Sequence, residues 1–99
     1  MVQLVALYRR PQDPEAFLRR YREEHLPLAR QMPGLLSIEA GPLEGLGGDA
    51  AYWYMATLSF PSREAFEESQ RAPVSREAAK VLMGFARGLV EFALRGVGE

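Results

Sequence analysis

The chain has no cysteine and no asparagine among its 99 residues, one lysine (Lys80) and one histidine (His25). Without thiols there is no disulfide scaffold, thiolate zinc site, iron–sulfur cluster or cysteine nucleophile. A metal site would have to be built from carboxylates, and the acids are dispersed on outward helical faces, so neither a metal nor a cofactor is expected. No apolar run approaches the roughly 20 residues of a membrane span, and strand-like residues begin directly at the N-terminus. A soluble, cytoplasmic chain with no membrane partner is the expectation. Twelve basic side chains against thirteen acidic ones leave a net charge of −1, no field for gripping a phosphate backbone. Scarcity of amides and thiols is compatible with a heat-adapted source, a bias that a GC-rich genome also produces.

What is present is ordinary globular composition, 47% hydrophobic and 25% charged, enough for one domain over residues 1–99. Val2 to Tyr8 is β-like and ends at Arg9-Arg10-Pro11. Asp13-Pro14-Glu15 supplies an N-cap, a proline at the first helical position and an acid in the first turn. Phe17, Tyr21, Leu28 and Met32 share one side of the helix that follows, and Pro33-Gly34 ends it. Leu35 to Leu43 reads as a second strand, Gly41 to Gly48 as a glycine-rich stretch, and Ala51 to Phe60 as the strongest strand. Ser62 caps a helix to about Arg71, Pro73 breaks it, and Ser75 caps a second segment carrying Ala78, Leu82 and Phe85. Leu89 to Leu94 is the last strand. The order β-α-β-β-α-β, with an antiparallel sheet and the second helix broken in two, predicts an α+β, ferredoxin-like fold.

The strands carry a second message. Val2, Leu4 and Ala6 occupy one face of the first strand, Val5 and Leu7 the other; Tyr52, Tyr54, Leu58 and Phe60 oppose Trp53 and Met55 in the third. Helices on one side cannot cover both faces, so a second copy of the chain is expected against the other.

Tyr21-x-x-x-His25-x-Pro27-Leu28 is the most informative local pattern. Tyr21 and His25 lie one turn apart on the face shared with Phe17 and Leu28. Pro27 cannot donate to the Glu23 carbonyl and disfavours helical geometry at Leu26, so a helix kinked here would open beside His25. An imidazole facing a cavity suits acid–base work on a small substrate. The alternative is a half-buried histidine bonded to a carbonyl that Pro27 leaves free. Tyr52, Tyr54 and Phe85 are candidate ligand-lining aromatics, against simple core and interface packing. The third strand lacks the basic residue and glycine of an RNA-recognition surface. Gly45-Leu46-Gly47-Gly48 precedes a strand, which suits a mobile hairpin loop better than a phosphate cradle.

Over nearly its full length the chain resembles the EthD family of the dimeric α+β barrel superfamily. The resemblance rests on Leu7-Tyr8-Arg9-Arg10-Pro11, Asp13-Pro14-Glu15-Ala16-Phe17, Tyr21-Arg22-Glu23-Glu24-His25-Leu26-Pro27-Leu28-Ala29, Met32-Pro33-Gly34-Leu35 and Ser62-x-Glu64-Ala65, the Tyr-x-x-x-His-x-Pro-Leu segment being the most specific. It implies two ferredoxin-like protomers packed sheet to sheet, which the two-faced strands suggest independently. It also implies a small, largely apolar or aromatic molecule held between sheet and helices, with cofactor-independent cyclase or isomerase chemistry at His25 and Tyr21. The other function it implies is a non-catalytic accessory to an oxidative pathway such as ethyl tert-butyl ether degradation.

Overall fold

The computed structural model describes residues 1–98. Strand β1 (Val2–Tyr8) is central. It pairs antiparallel with β3 (Tyr54–Phe60) on one side and β4 (Val90–Gly96) on the other, and β2 (Ser37–Pro42) pairs with β3, giving the order β2-β3-β1-β4. This is the ferredoxin-like arrangement that the element order predicts. Helices α1 (Pro14–Arg20), α2 (Leu26–Ala29), α3 (Arg63–Gln70) and α4 (Pro73–Ala86) connect the strands. No helix of the described residues is long and apolar enough to cross a membrane.

Local chemistry accounts for most boundaries. The Asp13 carboxylate accepts from the Ala16 amide at 3.1 Å and the Ser62 hydroxyl from the Ala65 amide at 3.0 Å, so α1 and α3 start where their caps predict. After α4 the chain turns through Gly88 at φ +80°, a conformation that a side chain would strain. Helix α4 itself begins earlier than expected. Its N-cap is Ala72 and Pro73 opens the first turn, because proline is preorganised for that position; Ser75 lies inside the helix and caps nothing.

The expected kink at Pro27 takes a specific form. Between α1 and α2, Tyr21–His25 is a π-turn, in which the Leu26 amide reaches back five residues to the Tyr21 carbonyl. Proline offers no amide hydrogen and its ring crowds the carbonyl four residues back, so the helix widens by one residue just before it. Tyr21 and His25 both point inward while Arg22, Glu23 and Glu24 stay in solvent.

Register assigns the two sheet faces. Leu4, Ala6 and Tyr8 of β1, with their partners Leu58, Ala56 and Tyr54 of β3, face the helices. Phe17, Tyr8 and Tyr21 meet edge to face or stacked within 5.5–6.3 Å, and Phe60 meets Phe66 at 5.4 Å, which forms the aromatic centre of the core. Val5, Leu7 and Met55 lie on the uncovered face, as expected for their positions, and are half-buried.

That face and the third strand depart from the expectation in three ways. The face is mixed rather than apolar: Gln3 donates to the Ser59 hydroxyl at 3.1 Å and accepts from Arg95. Trp53 is not on it, since its ring packs edge-on to Phe17 at 5.6 Å. Strand β3 starts at Tyr54, not Ala51, and Tyr52 is outside the sheet. The segment before it folds back on itself, held by the Leu43 amide on the Trp53 carbonyl at 2.9 Å. Gly45 packs so tightly there that a Cβ would lie 1.8 Å from the Gly48 carbonyl oxygen, a backbone contact that only glycine allows.

Candidate functional site

Between the helix-facing side of β1 and β3 and the buried face of α4 lies a cavity of about 170 Å³. Leu4, Ala56, Leu58 and Leu82 supply apolar wall. Phe92 of β4 also lines it while remaining 51% exposed, which puts the cavity mouth at that sheet edge. Polar groups enter from the π-turn and the two later helices: Tyr21, His25, Gln70 and Ser75, with Tyr8 from β1. A mostly apolar enclosure with a few inward polar groups is the usual form of a small-molecule site.

His25 is 7% exposed, and its Nδ1 lies 3.0 Å from the Ala78 carbonyl oxygen of α4. A carbonyl can only accept, so Nδ1 carries the proton and Nε2 keeps its lone pair. Nε2 has no protein partner among the described residues. Burial holds the imidazole below its ordinary pKa of 6.5, opposed by the bond to Ala78, so the resting ring is neutral at pH 7. His25 is thus anchored to a carbonyl 53 residues away rather than to one freed by Pro27, and it also lines the cavity.

The Tyr21 ring lies 5.3 Å from that of His25. Burial pushes its phenol up to about 12, with Tyr54 adding to the shift and the Tyr8 hydroxyl and Arg30 opposing it. Tyr8 is driven higher still, by burial and then by Tyr21. Both phenols therefore stay protonated across the physiological range; the Tyr8 hydroxyl is directed at the Tyr21 oxygen, which leaves the Tyr21 O–H to donate to a ligand. Ser75 is 2% exposed and its hydroxyl has no partner at all. The Gln70 amide is bonded only to the Met32 sulfur, at 4.0 Å.

Of the residues singled out from sequence, the fold brings Tyr21 and His25 together and leaves three others outside this cavity. Tyr54 stands behind Tyr21, edge-on at 5.8 Å, and its other side borders a shallow depression with Arg22 and Arg30. Phe85 packs on Phe17 at 5.2 Å and under the Arg20 guanidinium at 4.7 Å. Tyr52, displaced by the late start of β3, donates to Glu91 at 2.6 Å in an exposed cluster with Arg9. Alternation along β1 and β4 could have flagged Tyr8 and Phe92, which share a face with Leu4 and Ala6. Ser75 was hidden by its resemblance to a helix cap. Among the described residues no three histidine, aspartate or glutamate side chains cluster closely enough to hold a metal ion.

Comparison with known proteins bears on the same fold. Residues 9–83 match the model of the EthD domain. A Rhodococcus erythropolis protein described as an uncharacterized 11.0 kDa protein in the thcB–thcC intergenic region is 32% identical over 89 residues, 89% of this chain and 86% of that one. A crystal structure of an ethyl tert-butyl ether D (EthD) family protein from Bacillus halodurans superposes with a TM-score of 0.91 at 29% identity, over 100% of this chain and 97% of that one. A dimeric ferredoxin-like protein from a Jannaschia species superposes at 0.75 with 16% identity, over 97% and 98% of the two chains.

Proposed function

Because the chain belongs to the EthD family, we propose that it works as a homodimer whose protomers each hold a small, largely apolar molecule in the 170 Å³ cavity, and that His25 moves a proton on that molecule. The observation that carries this reading is the buried histidine itself, a residue of the cavity wall with Nδ1 tied to Ala78 and Nε2 without a partner among the described residues. The cavity is a fraction larger than the roughly 150 Å³ that accepts a benzene ring in an engineered protein interior, so a single six-membered ring fits.

The chemistry follows from the protonation states. Neutral Nε2 takes a proton from a carbon beside a ligand carbonyl. The resulting imidazolium is stabilised by its Nδ1–H on Ala78, and the electron pair left behind moves onto the ligand oxygen. Tyr21 remains protonated and donates to that oxygen as its charge develops, with the Tyr8 hydroxyl supporting Tyr21 from behind. Return of the proton to a different carbon completes an isomerisation. Attack of the enolate carbon on a second carbonyl, which takes the proton instead, completes a cyclisation. Neither route requires an external oxidant.

A direct test is deuterium exchange into cyclohexanone in D2O, followed by NMR. The protein should accelerate exchange next to the carbonyl, and the rate should rise with pH as the imidazole loses its proton. His25→Gln should lower the accelerated rate by about 100-fold or more while the chain stays folded. Tyr21→Phe should slow it less. Binding of ring compounds without any exchange would instead support the non-catalytic accessory reading, for which the Rhodococcus relative's place between two genes is a second support.

The dimer is supported by half-buried Val5, Leu7 and Met55 on the face without helices, and by dimeric structural neighbours. Light scattering should give twice the 11.1 kDa chain mass.

A further inference from the structure

One residue of the cavity wall carries a buried hydroxyl with no task in the fold. Ser75 lies three residues before Ala78 on α4, so the two share a helix face, and Ala78 is the residue whose carbonyl fixes His25. Its hydroxyl would ordinarily cap a helix or bond back along it, yet Pro73 has taken the start of α4 and the oxygen is buried with no partner. The wall it shares includes apolar Leu58 and Leu82 and polar His25 and Tyr21. Native interiors rarely leave a buried hydroxyl unsatisfied; Ser69 of α3 carries another, away from this cavity, whereas Ser75 belongs to the wall of a ligand-sized space, where a ligand is the simplest partner.

We infer that Ser75 is a ligand-binding residue, its hydroxyl bonding the oxygen substituent of a monocyclic ring compound of phenol or cyclohexanone size. This rests on the cavity reading given above. The size follows from the volume, which is close to that of a cavity that accepts one benzene ring, so a single ring should be held better than two fused ones. The oxygen follows from the donors. Ser75 and the protonated Tyr21 phenol can donate to it, while Nε2 can only accept, so an oxygen flanked by a removable proton matches the set and a bare hydrocarbon leaves it unsatisfied.

The test uses three probes on the wild-type chain and on Ser75→Ala, with calorimetric binding and melting temperature measured on the same samples. Phenol should bind the wild type about 10-fold more tightly than toluene, its oxygen-free counterpart, and 2-naphthol should bind more weakly than phenol. Ser75→Ala should bring phenol to within about 2-fold of toluene, leave toluene unchanged, and keep or raise the melting temperature because an unsatisfied buried hydroxyl has gone. A lower melting temperature with unchanged phenol affinity would make Ser75 structural and overturn the inference. Equal binding of phenol and toluene in the wild type overturns it while leaving the cavity reading intact, and tight 2-naphthol binding overturns the size. If none of the three binds the wild type, the cavity reading fails and the inference with it.

Discussion

The two faces of the sheet solve opposite problems. On the helix-covered face the apolar side chains are well packed, while polar atoms of His25 and Ser75 have no protein partner. On the bare face the polar atoms are matched to one another, Gln3 to Ser59 and Arg95, while the apolar side chains Val5, Leu7 and Met55 are only half covered. A buried polar group without a partner costs more than a half-exposed methyl group, so each face states what it lacks. On the first the unmet groups are polar; on the second they are apolar.

Four measurements would break or sharpen that contrast. The largest effect is expected from Met55→Glu, which puts a charge on the bare face near one end of the β1–β3 ladder, opposite Leu7. If a second copy covers it, the chain should become monomeric and lose about 3 kcal/mol or more in chemical denaturation, because the carboxylate is buried unpaired. A change within about 0.5 kcal/mol and an unaltered mass would mean that the face is free. Next comes pH on the covered face. His25 titrates lower in the folded than in the unfolded chain, so below pH 6.5 the unfolded chain takes up more protons and stability falls as pH falls. The contribution is complete above pH 6.5, and the slope below it is at most about 1.4 kcal/mol per pH unit. His25→Gln should flatten the fall, and an unchanged slope would assign it to the carboxylates.

The two smaller effects remove one hydroxyl from each face. Ser59→Ala deletes the acceptor of the buried Gln3 amide and should cost about 1 kcal/mol in denaturant unfolding. Ser75→Ala deletes a hydroxyl that bonds nothing in the protein and should cost nothing or add a few tenths of a kcal/mol. Equal losses at the two sites would abolish the distinction between a face that is satisfied and one that waits for a partner.

The same division runs through what could be read from the chain. Much of the fold was legible in local pattern. Asp13-Pro14 and Ser62 mark helix starts because a cap is made within three residues. Pro27 marks a helix defect because the missing amide is its own, and Tyr21 with His25 stand out because i,i+4 spacing keeps them on one face. The form of the defect was less legible, since a kink and a π-turn both answer the same missing bond.

By itself the sequence determined the β-α-β-β-α-β order, the family, and the pair Tyr21–His25, all of which depend on residues a turn or a strand apart. Tertiary structure alone decided which carbonyl holds His25, that Ser75 bonds nothing, that Tyr8 and Phe92 line the cavity and that Tyr52 does not. The physical reason is reach. Capping and periodicity are settled between near neighbours, whereas whether a buried polar atom finds a partner depends on groups as far apart as residues 25 and 78, which meet only when the helices pack.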